Sequence, residues 1–379
     1  MMFLASLRKV RVAFLVKAFI VGGCIALCAA SAFAAQPNYV LIDLTSTTGY
    51  GDAYAASGGA AAGTVSTSAN FLDAARATLW TGNTLIDLHP LTLLGSANTK
   101  SSVQGFSGNL QVGWGIGPNT RLQFVPIVWH GKARSAAVLA LPFTAYAAQA
   151  VATDGVQIVG FARTRNGGSY QALLWNAATG AVSNLGAGGN GAQALCVAHG
   201  QQAGFTTRSS GPVATIWAGT ASSQIVLHPN SDAVVSEILA TNGLRQAGFC
   251  GFDSQVIDKA THSSLTKRIN KAFVWDATVA SARSIHPAGF QQSYATSING
   301  SSIVGYAYND DEEETTERYH AILWNSSLQP MDLNVFLPSG FTGAMANSID
   351  AEGTIAGTIF TADGVRHAAV WIPTERFAR

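Results

Sequence analysis

Charge is the scarcest property of this chain. Asp, Glu, Lys and Arg make up 11% of its 379 residues, whereas soluble proteins usually carry about 25%. Hydrophobic residues reach 48%, so a large core can form and the composition excludes global disorder. Four of the 22 basic residues lie in the first seventeen positions, which leaves 18 basic against 21 acidic side chains in the rest of the chain. This balance offers no basic surface, and we predict no nucleic-acid partner.

The clustered positive charges begin a pattern that is typical of export signals. Residues 1–17 are basic, residues 18–30 form an apolar run, and residues 31–34 (SAFA) offer a cleavage site of small residues. This order predicts a signal peptide over 1–34, and therefore a secreted or periplasmic protein that has no membrane association after cleavage. An uncleaved membrane anchor and a lipoprotein cleavage box before Cys24 are the alternatives.

Cysteine is also rare. Cys24 and Cys28 lie in the predicted signal, so only Cys196 and Cys250 remain in the mature chain. With at most one disulfide, an exported chain of this size must be held together by its core. Two interpretations stay open: Cys196 and Cys250 form a disulfide, or they are two small buried hydrophobic residues.

A short apolar motif that ends in tryptophan, which we call the tryptophan word, recurs through the mature chain. It is seen as ALLW, AFVW, AILW and AAVW, and each copy follows a small apolar word that ends in glycine, such as IVG or QAG. The seven repeats end at Trp80, Trp129, Trp175, Trp217, Trp275, Trp324 and Trp371. Each unit of 40–50 residues contains four short apolar runs punctuated by Gly, Asn and Asp, which favours four β-strands. Such units are typical of propeller blades, with an open solenoid as the alternative.

The two ends of the repeat region favour a closed ring. The last unit lacks a fourth strand, while residues 39–44 supply an unmatched one that resembles LIDL (85–88) of the first unit. Pairing the N-terminal strand beside AAVW completes the seventh blade and leaves no open edge. We therefore predict, over residues 35–379, an all-β, seven-bladed propeller of four-stranded blades, present as a monomer.

The units resemble the HAF extracellular repeat family of bacteria. The motifs that carry the resemblance are ING…IVG…HAILW (298–324) and AEG…IAG…HAAVW (351–371), and the similarity extends over residues 38–373. The histidine of the motif is kept as His320 and His367 and is replaced in the other units. The resemblance implies an exported propeller and assigns no reaction to it.

The sequence holds no recognised catalytic motif. It has neither a phosphate-binding glycine loop nor a G-x-S-x-G elbow, and its eight histidines appear scattered, without zinc-site spacing. We expect His320 and His367 to make structural hydrogen bonds within their blades, and the tryptophans to pack between blades. Among residues expected to line the channel, only Asp350 and His199 are plausible acid or base groups.

Units five and six are expanded between their second and third strands. Insertions on one face of a repeat protein often mark its binding face, so these loops are the predicted ligand site, or else two solvated loops of opposite charge. The candidate residues are Lys259, Lys267, Arg268, Lys271, Asp310, Asp311, Glu312, Glu313, Glu314 and Glu317. Calcium is a further alternative at Asp310, Asp311 and Glu313; otherwise no cofactor is expected.

Three functions fit these features. The leading prediction is a secreted, non-catalytic binding or scaffold module that recognises a surface glycan or an extracellular protein through one face. The second is an extracytoplasmic lyase or hydrolase of polysaccharide with its site at the central channel. The third is a structural matrix component. Fold alone does not choose between them, because propellers carry many activities.

Overall fold

The described part of the chain is built from seven four-stranded antiparallel sheets. The computed structural model describes residues 38–375, apart from 46–48, 69, 83, 165–167, 187–190, 230, 258–263 and 311–318. Each sheet is one blade, and its first strand lies next to the central channel. The predicted seven-bladed propeller is confirmed. The predicted signal peptide, residues 1–34, lies outside the described residues.

The strands follow the repeat units. The N-terminal strand is β1 (Tyr39–Asp43). Blades 1 and 2 contain β2 (Tyr50–Ser57), β3 (Ala60–Ser66), β4 (Arg76–Thr81), β5 (Thr84–Asp87), β6 (Lys100–Ser107), β7 (Leu110–Ile116), β8 (Val125–Trp129) and β9 (Ala137–Val138). Blades 3 and 4 contain β10 (Ala145–Thr153), β11 (Gln157–Thr164), β12 (Tyr170–Asn176), β13 (Val182–Asn184), β14 (Ala192–Ala198), β15 (Gln201–Arg208), β16 (Gly211–Trp217) and β17 (Ile225–Val226).

The remaining blades show the two expansions. Blade 5 contains β18 (Ala233–Thr241), β19 (Gln246–Ile257), β20 (Ser264–Trp275) and β21 (Arg283–Ser284). Blade 6 contains β22 (Gln292–Asn299), β23 (Ser302–Tyr308), β24 (His320–Trp324) and β25 (Pro330–Asp332). Blade 7 contains β26 (Phe341–Ile349), β27 (Ile355–Thr361), β28 (Arg366–Pro373) and β1. In blade 5 the expansion lengthens both strands of the hairpin.

Within the described residues, helical structure is limited to single turns. The described residues include α1 (Leu91–Leu94) and the 3-10 turns Phe71–Ala74, Pro118–Thr120, Ala133–Ser135, Ala221–Ser223, Val279–Ser281 and Leu333–Phe336. No helix in this part of the chain has the length and apolarity that crossing a bilayer requires.

Strand β1 closes the ring as predicted. It pairs antiparallel with β28, in a register that runs from Tyr39 opposite Pro373 to Asp43 opposite Ala369. Blade 7 is therefore made from both ends of the propeller. Polar contacts then join it to blade 1: Asp52, on β2, accepts hydrogen bonds from Thr358 at 2.6 Å and Arg366 at 3.1 Å. Burial raises the pKa of Asp52, and the Arg366 guanidinium opposes that shift.

One apolar cluster fills each interface between neighbouring blades, and a repeat tryptophan belongs to every cluster. These tryptophans are at most 3% exposed. In three blades the indole Nε1 donates to a carbonyl just after the last strand of the preceding blade. These bonds are Trp129 to Leu88 (2.9 Å), Trp175 to Ala140 (2.6 Å) and Trp324 to Ile285 (2.7 Å). The predicted packing between blades is confirmed.

The motif histidines make the predicted hydrogen bonds within their blades. The Nδ1 atom of His320 lies 2.7 Å from Asp332, and that of His367 lies 2.7 Å from Asp43. Both partners are the aspartate of a fourth strand. Arg76 occupies the same position in blade 1 and pairs with Asp87 at 2.5 Å. The aspartate of the LIDL word therefore anchors the fourth strand to the third.

The sequence analysis described the histidines as scattered, but three others share one position in the repeat. His89, His228 and His286 each precede a proline after the fourth strand. Each Nδ1 lies 2.6–2.8 Å from a serine hydroxyl on the first strand of the next blade, at Ser101, Ser236 and Ser293. Each serine also accepts a third-strand N–H. In His228 and His286 the Nε2 atom faces a carbonyl oxygen and must carry the proton, so in the neutral ring the serine hydroxyl donates to Nδ1. Burial lowers the pKa of all three histidines, that of His89 to about 4.

Candidate functional site

A β-bulge interrupts the first strand of every blade. The bulge leaves one extra residue between the paired positions, as at Ala53/Ala55 in blade 1 and Ala346/Ser348 in blade 7. All seven extra residues are half-buried and line a cavity of about 220 Å³ in the channel. We call them the bulge ring: Tyr54, Gln104, Val151, Leu195, Leu239, Thr296 and Asn347.

The bulge also explains the repeat glycine. In each unit the bulge brings a first-strand carbonyl against the glycine of the second strand, as Gln149 against Gly160. A β-carbon at any of the seven glycines would collide with that carbonyl oxygen. Only glycine permits so close a backbone approach. In the first six units the bulge-ring residue lies nine positions before the glycine, and in the last unit ten. This spacing was the missed sequence signal for the channel lining.

The channel widens into a funnel at the face where first strands turn into second strands, which we call the turn face. The funnel is a cavity of about 760 Å³. Its lining comes from the turns of blades 1, 3, 4, 5 and 7 and from the ends of inner strands, including Phe106 and Ile298. Because the strands are antiparallel, the connections between second and third strands lie on the opposite side, the loop face.

Hydrogen bonds tie neighbouring turns together at six of the seven blade boundaries. Asp350 of blade 7 accepts the N–H of Gly59 in blade 1 at 2.8 Å. Asn242 of blade 5 donates to the carbonyl of Gly300 in blade 6 at 2.9 Å, and Asn299 of blade 6 donates to the carbonyl of Asp350. Further bonds join Ser57 to Gly108, Gln157 to Gln202 and Gln201 to Thr241. Six blade boundaries are thus bridged near the rim.

His199 holds a strained position at the funnel mouth. Its φ of 49° lies in the left-handed region, where blades 1, 2 and 6 place glycine: Gly58, Gly108 and Gly300. The exposed side chain lies beside Gly243 of the neighbouring turn. A non-glycine residue in this region costs stability, and such residues are found disproportionately at functional sites.

Four ionisable groups line the funnel. The sequence analysis named only Asp350 and His199, and the structure adds Asp154 and Glu352. Burial raises the pKa of Asp350. The hydrogen bonds that its carboxylate accepts from the N–H groups of Gly59 and Thr354 act in the opposite direction and lower this pKa. Among the described residues that line the funnel, none is a lysine or arginine. The mouth is therefore acidic.

The four predicted ligand residues that the structure describes lie on the loop face, away from the funnel. Lys267 and Asp310 are brought together at 3.2 Å, across blades 5 and 6. Arg268 pairs instead with Asp253 of its own hairpin at 2.6 Å, and Lys271 lies over the ring of Phe252 at 5.6 Å. These four residues do not converge on one pocket. Lys259, Asp311, Glu312, Glu313, Glu314 and Glu317 lie outside the described residues.

Two further predictions concern metal and disulfide chemistry. Of the proposed calcium ligands only Asp310 is described, and its carboxylate accepts a 2.7 Å hydrogen bond from Gln292. No group of three or more His, Cys, Asp or Glu side chains within the described part of the chain could hold a metal ion. Cys196 and Cys250 are free and buried in one apolar cluster between blades 4 and 5. The structure therefore agrees with the interpretation that they are two small buried hydrophobic residues.

Comparison with known proteins gives structural matches only. Neither a protein-family model nor a curated protein sequence matches this chain. The β-propeller domain of the Trilobed protease from Pyrococcus furiosus is similar, with a TM-score of 0.51 and 10% identity over 86% of this chain and 94% of that one. Two structures of Pyrococcus horikoshii acylaminoacyl peptidase have TM-scores of 0.52 and 0.53, with 10% and 11% identity over 87% of this chain. The likeness is one of fold.

The chain spans about half the length of the acylaminoacyl peptidases, 52% in each case. These matches contradict the predicted function, because the similar solved structures are a protease propeller and peptidases. The prediction of a module that recognises a surface glycan or an extracellular protein is wrong, and so is its polysaccharide-active alternative. The predicted site rested on the expanded loops of the loop face, whereas the funnel opens on the turn face. The resemblance to the HAF repeat family stays a prediction.

Proposed function

We propose that this propeller receives peptide segments in its central funnel and acts together with a peptidase. The observation that carries the proposal is the funnel itself, a cavity of about 760 Å³ at the centre of a fold shared with peptidase propellers. Ligand sites usually occupy about 300–1,000 Å³. In this proposal the partner peptidase cleaves the peptide bond, and the chain acts outside the cytoplasm after export.

The lining suits a polypeptide. The wall combines parts of aliphatic and aromatic side chains, among them Phe106, Val197 and Ile349, which are at most 9% exposed, with polar ones such as Thr153 and Thr241. A peptide presents the same mixture, with backbone N–H and carbonyl groups between side chains. A purely apolar wall would leave the N–H and carbonyl groups of the peptide without hydrogen-bond partners, and each polar group buried in this way costs binding free energy.

The rim supports binding because it is already ordered. The hydrogen bonds from blade to blade hold the turns in place before any ligand arrives. A pre-organised site loses less conformational entropy on binding. The position of His199 supports the same interpretation, since glycine would satisfy that turn without strain.

The test measures peptide binding by the full chain. The ligand is a fluorescein-labelled octapeptide library that is randomised at every position, and its fluorescence anisotropy reports the binding. Replacing Val156 and Glu352 by tryptophan narrows the funnel at two exposed lining positions. We expect the double variant to lose at least tenfold in affinity.

A matched control introduces the same two side chains elsewhere. Leu244, on the turn face beside the funnel, is 81% exposed, and Leu265, on the loop face, is 48% exposed. The Leu244→Trp and Leu265→Trp double variant should bind as the parent does. Equal loss in both variants, or binding that survives the funnel variant, would contradict the proposal.

A further inference from the structure

We propose that the funnel selects peptides in which a cationic group lies three or four residues from an aliphatic side chain. This inference rests on the proposed function and names its substrate class. It follows from two layers of the same channel: an acidic mouth at the turn face and, below it, a bulge ring whose two halves differ in polarity.

The bulge ring is split by composition. Blades 3, 4 and 5 contribute Val151, Leu195 and Leu239, which are consecutive around the channel. Blades 6, 7, 1 and 2 contribute Thr296, Asn347, Tyr54 and Gln104. All seven are half-buried, so each still presents part of its surface to the channel. One side of the channel is therefore aliphatic, and the opposite side is polar.

Two side chains of the polar half, Asn347 and Gln104, are held by hydrogen bonds that their amide nitrogens donate. Asn347 donates from Nδ2 to the carbonyl of Ala53 at 2.9 Å, and Gln104 donates from Nε2 to Ser102 at 2.6 Å. In both bonds the amide nitrogen is used, so the amide oxygen is the group available to a ligand. Such oxygens accept the backbone N–H groups of an extended peptide. An aliphatic side chain of that peptide would then face the Val151–Leu195–Leu239 side.

The mouth favours positive charge. The carboxyl groups of Asp154, Asp350 and Glu352 line it, and His199 is the only basic side chain among the described lining residues. Asp350 already accepts three backbone N–H groups, from Gly59, Glu352 and Thr354. Glu352 is exposed. An arginine or lysine side chain, or a free amino terminus, meets this charge, whereas a carboxylate would be repelled.

The spacing between the layers sets the spacing in the ligand. Leu195 lies four residues before His199, and Asn347 lies three residues before Asp350. At about 3.3 Å per residue the mouth is roughly 10–13 Å from the bulge ring. An extended peptide covers the same distance in three or four residues.

The experiment measures the affinity of the full chain for defined peptides that carry fluorescein at the C-terminus. The parent peptide is an acetylated octapeptide of Gly and Ser with arginine at its second position and leucine at its sixth. One variant has glutamate in place of the arginine, one has serine in place of the leucine, and one moves the leucine next to the arginine. A fifth peptide tests the free amino terminus as the cation, with leucine at its fifth position and no arginine.

We expect at least tenfold weaker binding for the glutamate and serine peptides, and about fivefold weaker binding for the peptide with adjacent residues. The protein side supplies the matching change. Leu239→Asn should reduce the preference for leucine over serine at least fivefold while keeping the preference for arginine over glutamate. Glu352→Gln should reduce the preference for arginine over glutamate at least fivefold while keeping the preference for leucine over serine. Val151→Thr, which keeps the side-chain volume, repeats the first test in a milder form should Leu239→Asn fail to fold.

The outcomes separate the two proposals. Equal binding of all five peptides, or preferences that the Leu239 and Glu352 variants leave unchanged, would overturn the selectivity and leave peptide binding in place. Tight binding of the glutamate peptide would overturn the acidic mouth as the determinant. If no peptide binds, including the randomised library, the proposed function itself fails.

Discussion

Single residues determine this fold at positions where backbone and side chain compete for space. The repeat glycine is required because a first-strand carbonyl occupies the place of its β-carbon. The repeat tryptophan is required because it fills the gap between blades, and in three blades it also donates to the preceding blade. Both residues recur for geometric reasons, which is why their spacing predicts the number of blades.

The glycine argument predicts a large loss of stability on substitution. In Gly160→Ala the new β-carbon meets the carbonyl of Gln149, and relief requires the bulge to be undone. We expect a loss of about 3 kcal/mol in the free energy of unfolding. Gly289→Ala is the control: its φ is 90° and a β-carbon there meets nothing within 4 Å, so about 1 kcal/mol is expected. Urea denaturation measures both, and similar losses would refute the account.

The histidines that bridge blades predict a pH dependence. The pKa of His89 is lowered to about 4 from an ordinary 6.5, because burial disfavours the cation. A lowered pKa means that the stabilising contribution is complete above pH 6.5 and is lost as the pH falls toward 4. Asn334 replaces the histidine in blade 6 and bonds the third strand directly. His89→Asn should therefore flatten the loss between pH 6.5 and 4, by an amount on the order of 3 kcal/mol. Parallel pH profiles of the two proteins would contradict this assignment.

Among elements, β1 is the one that completes the architecture. Its five residues add the fourth strand of blade 7, and Leu41 packs against the cluster between blades 6 and 7. Without β1, the edge of β28 would be left unpaired and able to associate with other chains. The ends of the propeller are thus held by strand pairing as well as by contacts between blades.

A pair of neighbouring substitutions tests the docking of β1. Leu41 is half-buried, whereas Val40 is 42% exposed. Leu41→Ala should cost about 2 kcal/mol, and Val40→Ala should stay within about 0.5 kcal/mol. Thermal unfolding of the full chain compares them. If neither change matters, closure by β1 does not contribute to stability.

Much of the fold could be predicted from the sequence, and less of the site. The number of blades, the strand order and the closing strand follow from recurring words such as IVG and AILW, because each word has one place in a blade. The channel was harder. Its lining is set by bulges, which shift the register by one residue and have no sequence motif of their own, so Val151 and Leu239 are marked only by their position nine residues before the repeat glycine. The expanded loops can be recognised in the sequence because an insertion lengthens the spacing of the repeat. A funnel that is formed by short turns from different blades leaves no such change in spacing.

At the scale of the whole molecule, ring closure creates the site. The funnel is lined by residues of all seven blades, and it exists because their turns face one axis and are bonded from blade to blade. The acidic mouth and the split bulge ring likewise combine residues from distant parts of the chain, such as Asp154 and Asp350. The proposed peptide recognition would therefore be a property of the assembled ring.

The most direct measurement is the place where a peptide binds. A photoreactive octapeptide that carries benzophenone beside its leucine can be cross-linked to the full chain, and the labelled residues identified by mass spectrometry. We expect labels on the turn face and in the channel, within residues 151–157, 195–200 and 239–242. Labels concentrated on the loop face, within residues 264–271 and 306–310, would contradict the funnel as the site.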